Sequence, residues 1–279
     1  MASTVIGTPD SDSLCRDIAK RSKGVCFLGL SGGKDSLCAW LNLRRRFKRI
    51  IPFHCTSWPG MAFERQYFDY LQDMMGTRIL RLVGEDYPMA LTRMMYQPWK
   101  DADMIADMPI LNYSKLDILE YLRYKFNLPN AWCAFGISAS DSIDRAIYCK
   151  RTGGKNPANK TFYPCYDWPR KDILQAVIDS GLKLPSSYRY VNRTMGNVPG
   201  IVTNEILKKH YPEDWQRFLA LYPLAEAKTV REHILDREWA AAKKRRIEEA
   251  GGTAAADLSA DEGEDDGSFE GEWMEDTAG

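Results

Sequence analysis

The sequence predicts an α/β fold: a Rossmann-like parallel sheet with helices on both faces, followed by a C-terminal helix and a disordered tail. Three observations carry this prediction. The short runs Val25–Leu30, Ile50–Thr56 and Ala131–Ile137 are largely apolar without strict alternation, as strands covered on both faces are. Segments with helical spacing lie between them, for example Phe63, Tyr67, Phe68 and Leu71. Strand, helix and strand follow one another at the short intervals of βαβ units, which makes the sheet parallel.

Taken in order, residues 1–13 read as a flexible lead and Leu14–Lys23 as a short helix feeding the first strand, Val25–Leu30. Ser31-Gly32-Gly33 interrupts the apolar run. Lys34-Asp35-Ser36 then opens a helix with Leu37, Trp40 and Leu41 on its apolar face. The following Arg44-Arg45-Arg46-Phe47-Lys48-Arg49 reads as a solvated helix end, with cations near the negative end of the dipole, in preference to a nucleic-acid patch. Ile50–Thr56 is the second strand, Met61–Met75 a helix and Arg78–Val83 the third strand. Residues 84–113 are Met-rich and read as a helix followed by a loop, the methionines serving as core filler. Ser114 is an N-cap for a helix running to Phe126, and Ala131–Ile137 is the fourth strand. Gly136–Ala146 leaves that strand, turns and enters a helix. Thr161–Leu174 repeats the pattern, with Pro169 in the turn and a helix continuing to Gly181.

Beyond Val191 a turn-rich stretch flanked by Arg189 and Arg193 precedes a helix through Trp215 and Leu221. Thr229–Ala250 reads as a charged helix whose narrow stripe of Ile234, Leu235 and Trp239 suits docking or homo-oligomer formation. The expected boundaries are therefore 1–23 for the lead and short helix, 24–225 for the main domain, 226–250 for the charged helix and 251–279 for an acidic tail too polar to bury a core.

Composition narrows the function classes. The 44% hydrophobic and 27% charged content are those of an ordinary globular protein, and no apolar run reaches the length of a membrane span. The start of the chain lacks the basic and apolar regions of a signal peptide. Seven cysteines without a CxxC pair point to reduced thiols in a cytoplasmic setting. The net charge of zero conceals an asymmetry. All 38 Lys and Arg precede residue 251, whereas ten of the 38 Asp and Glu follow it, so the first 250 residues carry a net +10. A basic body suits phosphate-bearing ligands.

The stretch from Val25 to Leu41 gives that preference a site. A strand, a glycine turn and a helix start form an anion cradle, because the first N–H groups of the helix are free and its dipole is positive there. Ser31 and Ser36 offer hydroxyls, Gly32 and Gly33 let the backbone approach a ligand, Lys34 adds charge, and Asp35 suits Mg²⁺ or a fixed loop. The spacing fits neither the P-loop nor the dinucleotide pattern.

This loop resembles the SGGxDS signature of PP-loop ATP pyrophosphatases, the adenine nucleotide alpha-hydrolase superfamily. Three later segments narrow the resemblance to the phosphoadenosine-phosphosulfate (PAPS) reductase-like family. Gly136, Ile137, Ser142 and Arg145 match its GIRxxES…R segment. Tyr163, Pro164, Trp168 and Asp172 match YP(L)xxWxxxD, and Gly181, Leu182, Pro185 and Tyr188 match G-L-x-x-P-x-Y. The resemblance spans roughly residues 24–190.

It implies an adenine nucleotide alpha-hydrolase-like fold and an enzyme that binds ATP with Mg²⁺. Such an enzyme adenylates a second substrate with release of pyrophosphate, in sulfur metabolism or sulfur transfer. The implied catalytic residues are Lys34, Asp35 and Arg145, with Asp35 on the metal. Ser31, Gly32, Gly33, Lys34, Asp35, Ser36, Cys55, Thr56, Gly136 and Ser142 would bind the nucleotide, its adenine near the end of the second strand, where His54 is a packed residue. Arg145 has an equal alternative as a salt-bridge partner of Asp141.

The sequence departs from the family at Ser138, which replaces the arginine of GIR, and at Asp141, which replaces its glutamate. It also has no cysteine after Cys165, where sulfonucleotide reductases carry their nucleophile. Sulfonucleotide reduction with an external thiol donor, and a silent nucleotide-binding partner subunit, are the alternatives. The second substrate is a small molecule or a nucleic acid, and no membrane is involved.

Overall fold

The computed structural model describes residues 10–191, 194–195 and 201–227, together with 230, 231, 234, 237, 238, 241 and 245. Arg193, Leu235, Trp239, most of the charged helix and the whole acidic tail lie outside the described residues.

In chain order the elements are α1 (Ser11–Arg21), β1 (Val25–Gly29), α2 (Lys34–Leu43), β2 (Arg49–Thr56), α3 (Ala62–Met75), β3 (Leu80–Val83), α4 (Asp86–Thr92), α5 (Ala102–Asp107) and α6 (Lys115–Lys125). They continue with β4 (Trp132–Phe135), α7 (Ile143–Thr152), β5 (Lys155–Asn156), β6 (Thr161–Phe162), α8 (Arg170–Ser180), α9 (Tyr188–Val191), α10 (Ile201–His210) and α11 (Pro212–Leu221). The six strands form one sheet in the order β3-β2-β1-β4-β6-β5, parallel throughout except for β5, which pairs antiparallel with β6. The α/β class and the helices on both faces are as the sequence predicts.

Strand periodicity distributes the core. Cys26 and Leu28 face the side covered by α1, α2, α3 and α8, where Leu14, Ile18, Leu37, Leu71, Ile173 and Val177 are buried. Phe27, Ile51, Phe53 and Cys133 face the other side, against Ile118, Leu119 and Leu122 of α6. A third apolar cluster joins Trp58 and Met61 to Leu207, Trp215, Phe218 and Tyr222 of the C-terminal helices. Asp214 fastens these helices to the start of α3. Its two carboxylate oxygens accept from the Ala62 and Phe63 N–H groups at 2.8 Å each, filling the donors that α3 leaves open at its start.

Local signals explain most boundaries. Ser114 caps α6 through a complete capping box with Asp117. Gly76, Gly153 and Gly181 close α3, α7 and α8 in the left-handed region. Four details differ from the sequence reading. Asp10, not a later residue, caps α1, so that helix starts at Ser11. The third strand begins at Leu80, because residues 78 and 79 lie outside the ladder to β2. Residues 84–113 hold two α-helices rather than one. Met104 and Met108 there are exposed and so are not core filler. Among the described residues no helix is long and apolar enough to cross a membrane.

Candidate functional site

The sheet order reverses direction between β1 and β4, so a crevice opens at their carboxyl ends, the usual ligand position in open α/β sheets. The turn Leu30–Gly33 leaves β1 at that crevice and enters α2. Gly32 has φ +80°, and a Cβ there would meet the Tyr67 ring at 2.7 Å. Gly33 is the N-cap of α2 and contributes no side-chain cap; the Lys34 N–H is taken instead by Tyr188 Oη at 3.2 Å and the Ser36 N–H by Gly33 O at 3.1 Å. Gly136, leaving β4, packs directly on this turn: a Cβ on it would lie 2.4 Å from Ser36 N and 2.5 Å from the Asp35 carbonyl carbon.

The hydroxyls of the loop engage one another. Ser36 Oγ donates to Gly33 O at 2.9 Å, and Ser31 Oγ donates to Ser36 Oγ at 3.2 Å. Lys34 Nζ sits 2.9 Å from Asp35 Oδ2, whereas Asp35 Oδ1 is buried without a hydrogen-bond partner. Burial raises the Asp35 pKa above the usual carboxylate value, opposed by Lys34 and assisted by the nearby Asp141 charge.

A buried carboxylate acceptor suits a hard cation. Among the described residues no group of three His, Cys, Asp or Glu side chains could hold a metal by itself. Mg²⁺ commonly binds through one or two carboxylates plus substrate phosphates, so Asp35 fits it only in company with a phosphate ligand.

Two tyrosines clasp the loop. Tyr67 Oη donates to Gly32 O at 2.8 Å and lies 3.1 Å from Lys183 O. Tyr188 Oη accepts from the Lys34 N–H at 3.2 Å, and burial pushes its phenol pKa up to about 12 against the lowering effect of that N–H and of Arg170. Tyr70 Oη accepts from Lys183 N at 2.9 Å, completing the hold of segment 182–188 on the loop. Tyr67 and Arg170 carried no functional signal in the sequence. A tyrosine at helical spacing looks like core, and their partners lie far away in the chain.

A cavity of about 280 Å³ runs from Ser31 past the ends of β2 and β3. Phe53, Trp58, Phe63, Phe68, Ile118 and Phe135 give it apolar walls, and Glu64, Glu85, Asp86 and Lys115 its polar ones. Cys55 lines it, whereas Thr56 Oγ1 donates to Glu64 Oε2 at 2.5 Å. His54 stacks on Phe68 at 3.8 Å and is held at both ring nitrogens, by Leu30 O at 2.9 Å and Glu64 Oε1 at 2.8 Å. Both partners are acceptors, so one hydrogen sits between Nε2 and the carboxylate, and His54 is a packed, fully engaged residue rather than an available base.

The structure thus brings Ser31–Ser36 and Gly136 into one cradle, with Cys55 in the adjoining cavity. Ser142 serves as the N-cap of α7, accepting from Arg145 N, and Arg145 is ion-paired with Asp141 four residues earlier. Ser138, standing where the family has arginine, is buried and donates to Trp168 O at 3.1 Å.

All seven cysteines are free thiols, and only Cys55 is more than marginally accessible. Cys38 and Cys165 touch, with their sulfurs 3.5 Å apart. Burial raises Cys15 to about 12 and Cys55 and Cys149 to about 11. With iodoacetamide at pH 8, intact-mass spectrometry is expected to show slow addition at Cys55 first, the other six reacting only on unfolding. Rapid modification of Cys165 or Cys133 in native protein would reveal an activated thiol that burial does not provide.

No protein-family model matches the chain, and no curated protein sequence does. Among solved structures, one of similar shape is the NH3-dependent NAD synthetase from Campylobacter jejuni in complex with the nitrate ion. It is 14% identical, the match covers 79% of this chain and 91% of that one, and the TM-score is 0.39. A likeness this distant is no guide to chemistry.

Proposed function

We propose that this chain is a PP-loop enzyme that binds ATP and acts at its α-phosphate, adenylating a second substrate with release of pyrophosphate. The observation that carries the reading is the Asp35 carboxylate: a buried acceptor with an unused oxygen, beside a lysine, in the first turn of a helix. A plain phosphate cradle has no use for a carboxylate, which repels the anion. A site for a phosphate chain with its cation does.

In this reading the pyrophosphate part of ATP lies over Gly32–Ser36, at the positive end of the α2 dipole, and the Ser31 hydroxyl exchanges its bond to Ser36 Oγ for a phosphate oxygen. The adenine enters the aromatic cavity beyond Ser31, near Cys55. Lys34 faces the bridging and leaving oxygens, where charge builds as pyrophosphate departs. Mg²⁺, held by Asp35 and the phosphates, would supply charge neutralisation at the same oxygens. Tyr67 and Tyr188 keep the loop in register. Arg145 is available to an anionic acceptor only by leaving Asp141.

The resemblance to the PAPS reductase-like family supports sulfur transfer as the setting, and the Lys34-Asp35 pair in the loop, suited to a pyrophosphate with its cation, supports adenylation over reduction. Incubating ATP with candidate acceptors and identifying the phosphorus-containing products tests the proposal.

A further inference from the structure

The sheet has a second charged edge, opposite the loop. Every turn that leads from a helix into a parallel strand lies at the amino ends of the strands, and two of these turns are strongly basic. The first carries Lys20 in the last turn of α1 and Lys23 just after it. The second, between α2 and β2, carries Arg44, Arg45 and Lys48, and Arg49 opens β2 beside them. All six are exposed.

The turns are clipped together, because Gly24 O accepts from both Lys48 N at 2.9 Å and Arg49 N at 3.1 Å. Gly24 is left-handed at φ +77°, and Lys48 Cγ lies 3.1 Å from where its Cβ would be. The six cations therefore share one surface. The neighbouring Arg21 and Arg46 differ, each being neutralised by an acid, Asp17 and Asp12 respectively. Among the described residues none of the six has a carboxylate partner.

The sequence alone favours a solvated helix end here, and magnitudes decide against that as a full explanation. A helix C-terminus carries roughly half a negative charge, so α1 and α2 together offset about one of the six cations. About five positive charges stay uncompensated at this edge of the sheet. Arg49 adds a planar element, its guanidinium standing 6.0 Å from the Phe126 ring centre.

We infer that this amino edge is a docking surface for the phosphate backbone of a nucleic acid. Repeating phosphates match a dense, solvent-facing row of Lys and Arg, and release of their counterions drives the association. The surface lies the length of β1, roughly 13 Å or more, from the loop. Its contacts are therefore independent of the nucleotide site, and the inference stands whether or not the ATP reading does.

The test is fluorescence anisotropy with a 20-base-pair DNA duplex and an RNA hairpin, from 50 to 200 mM salt, using the full chain. The wild type is expected to bind with a steep negative salt slope. The triple variant Arg44→Glu, Arg45→Glu, Lys48→Glu should bind at least tenfold more weakly at 0.1 M salt, with a slope shallower by about three. Lys20→Glu with Lys23→Glu, on the other turn, should weaken binding in the same sense. All six positions are exposed, so far-UV circular dichroism should be unchanged in both variants. An equal charge change elsewhere, Arg93→Glu, Lys100→Glu, Lys209→Glu, should cost less than threefold. A tenfold preference for DNA or RNA identifies the source, and equal affinity assigns the contact to phosphate alone. The inference is overturned if the edge variants bind like the wild type, if the distant variant loses as much, or if polyglutamate of equal charge binds as tightly as either nucleic acid.

Discussion

Gly136→Ala is expected to lower the melting temperature by about 6–12 °C and to weaken ATP binding at least tenfold. The added Cβ would stand 2.4 Å from Ser36 N and within 2.6 Å of the Asp35 carbonyl group. These are backbone atoms at the first turn of α2, so no side chain can swing aside. Either the end of β4 or the start of α2 must move by about 1 Å to restore contact distance, at a cost of about 3 kcal/mol, the upper part of the usual overpacking range. The displaced groups are those that form the cradle, so stability and binding fall together. Gly60→Ala is the control: its φ of +94° carries a backbone penalty of about 1 kcal/mol, but nothing lies within 4 Å of the new carbon. Calorimetric melts and ATP titrations of both variants check this. A Gly136→Ala protein that melts and binds normally would show that the loop does not rest on β4.

Lys34→Ala should reduce turnover by about 10²–10³-fold while changing ATP affinity by less than about tenfold, because its charge matters most where negative charge develops on the leaving oxygens. A second effect separates electrostatics from simple misfolding. Burial already raises the Asp35 pKa, and Lys34 opposes that rise. A carboxylate with a raised pKa binds its proton more tightly in the folded state than in the unfolded one. The associated stability is full below the ordinary Asp value and is lost as pH rises toward the folded value. Removing Lys34 extends that loss to higher pH. Thermal melts from pH 4 to 8 should therefore show a larger decline for Lys34→Ala than for the wild type. Lys34→Ala with Asp35→Asn should abolish the difference without restoring turnover. Turnover unaffected by Lys34→Ala in a folded protein would remove the loop from the chemistry.

Much of this architecture was legible in the sequence because its signals are local. The apolar run before Ser31, the two glycines and the polar helix start lie within a dozen residues, as do Ser114 and the capping box that begins α6. Arg145 and Asp141 stand four apart, a spacing that pairs side chains on a helical turn. What escaped is non-local or short. The strand at Thr161 was legible, but its antiparallel partner β5 has two residues, too few for a period. The clasp on the loop joins Tyr67 to Lys183 and Lys34 to Tyr188, contacts 116 and 154 residues apart. Asp214 reads as an ordinary first-turn acid of α11, and only the folded chain shows it filling the start of α3. Met104 and Met108 were misread because methionine composition alone does not say which side faces water.

Cleavage between the α- and β-phosphates of ATP is read out by phosphorus NMR of the products. The protein, ATP and Mg²⁺ would be incubated with a panel of acceptors covering sulfate, thiols, amines, carboxylic acids and nucleic acid. The expected result is a pyrophosphate resonance accompanied by AMP or an adenylate, lost in Lys34→Ala. ADP with inorganic phosphate, or failure of ATP to bind where PAPS binds tightly, would contradict it.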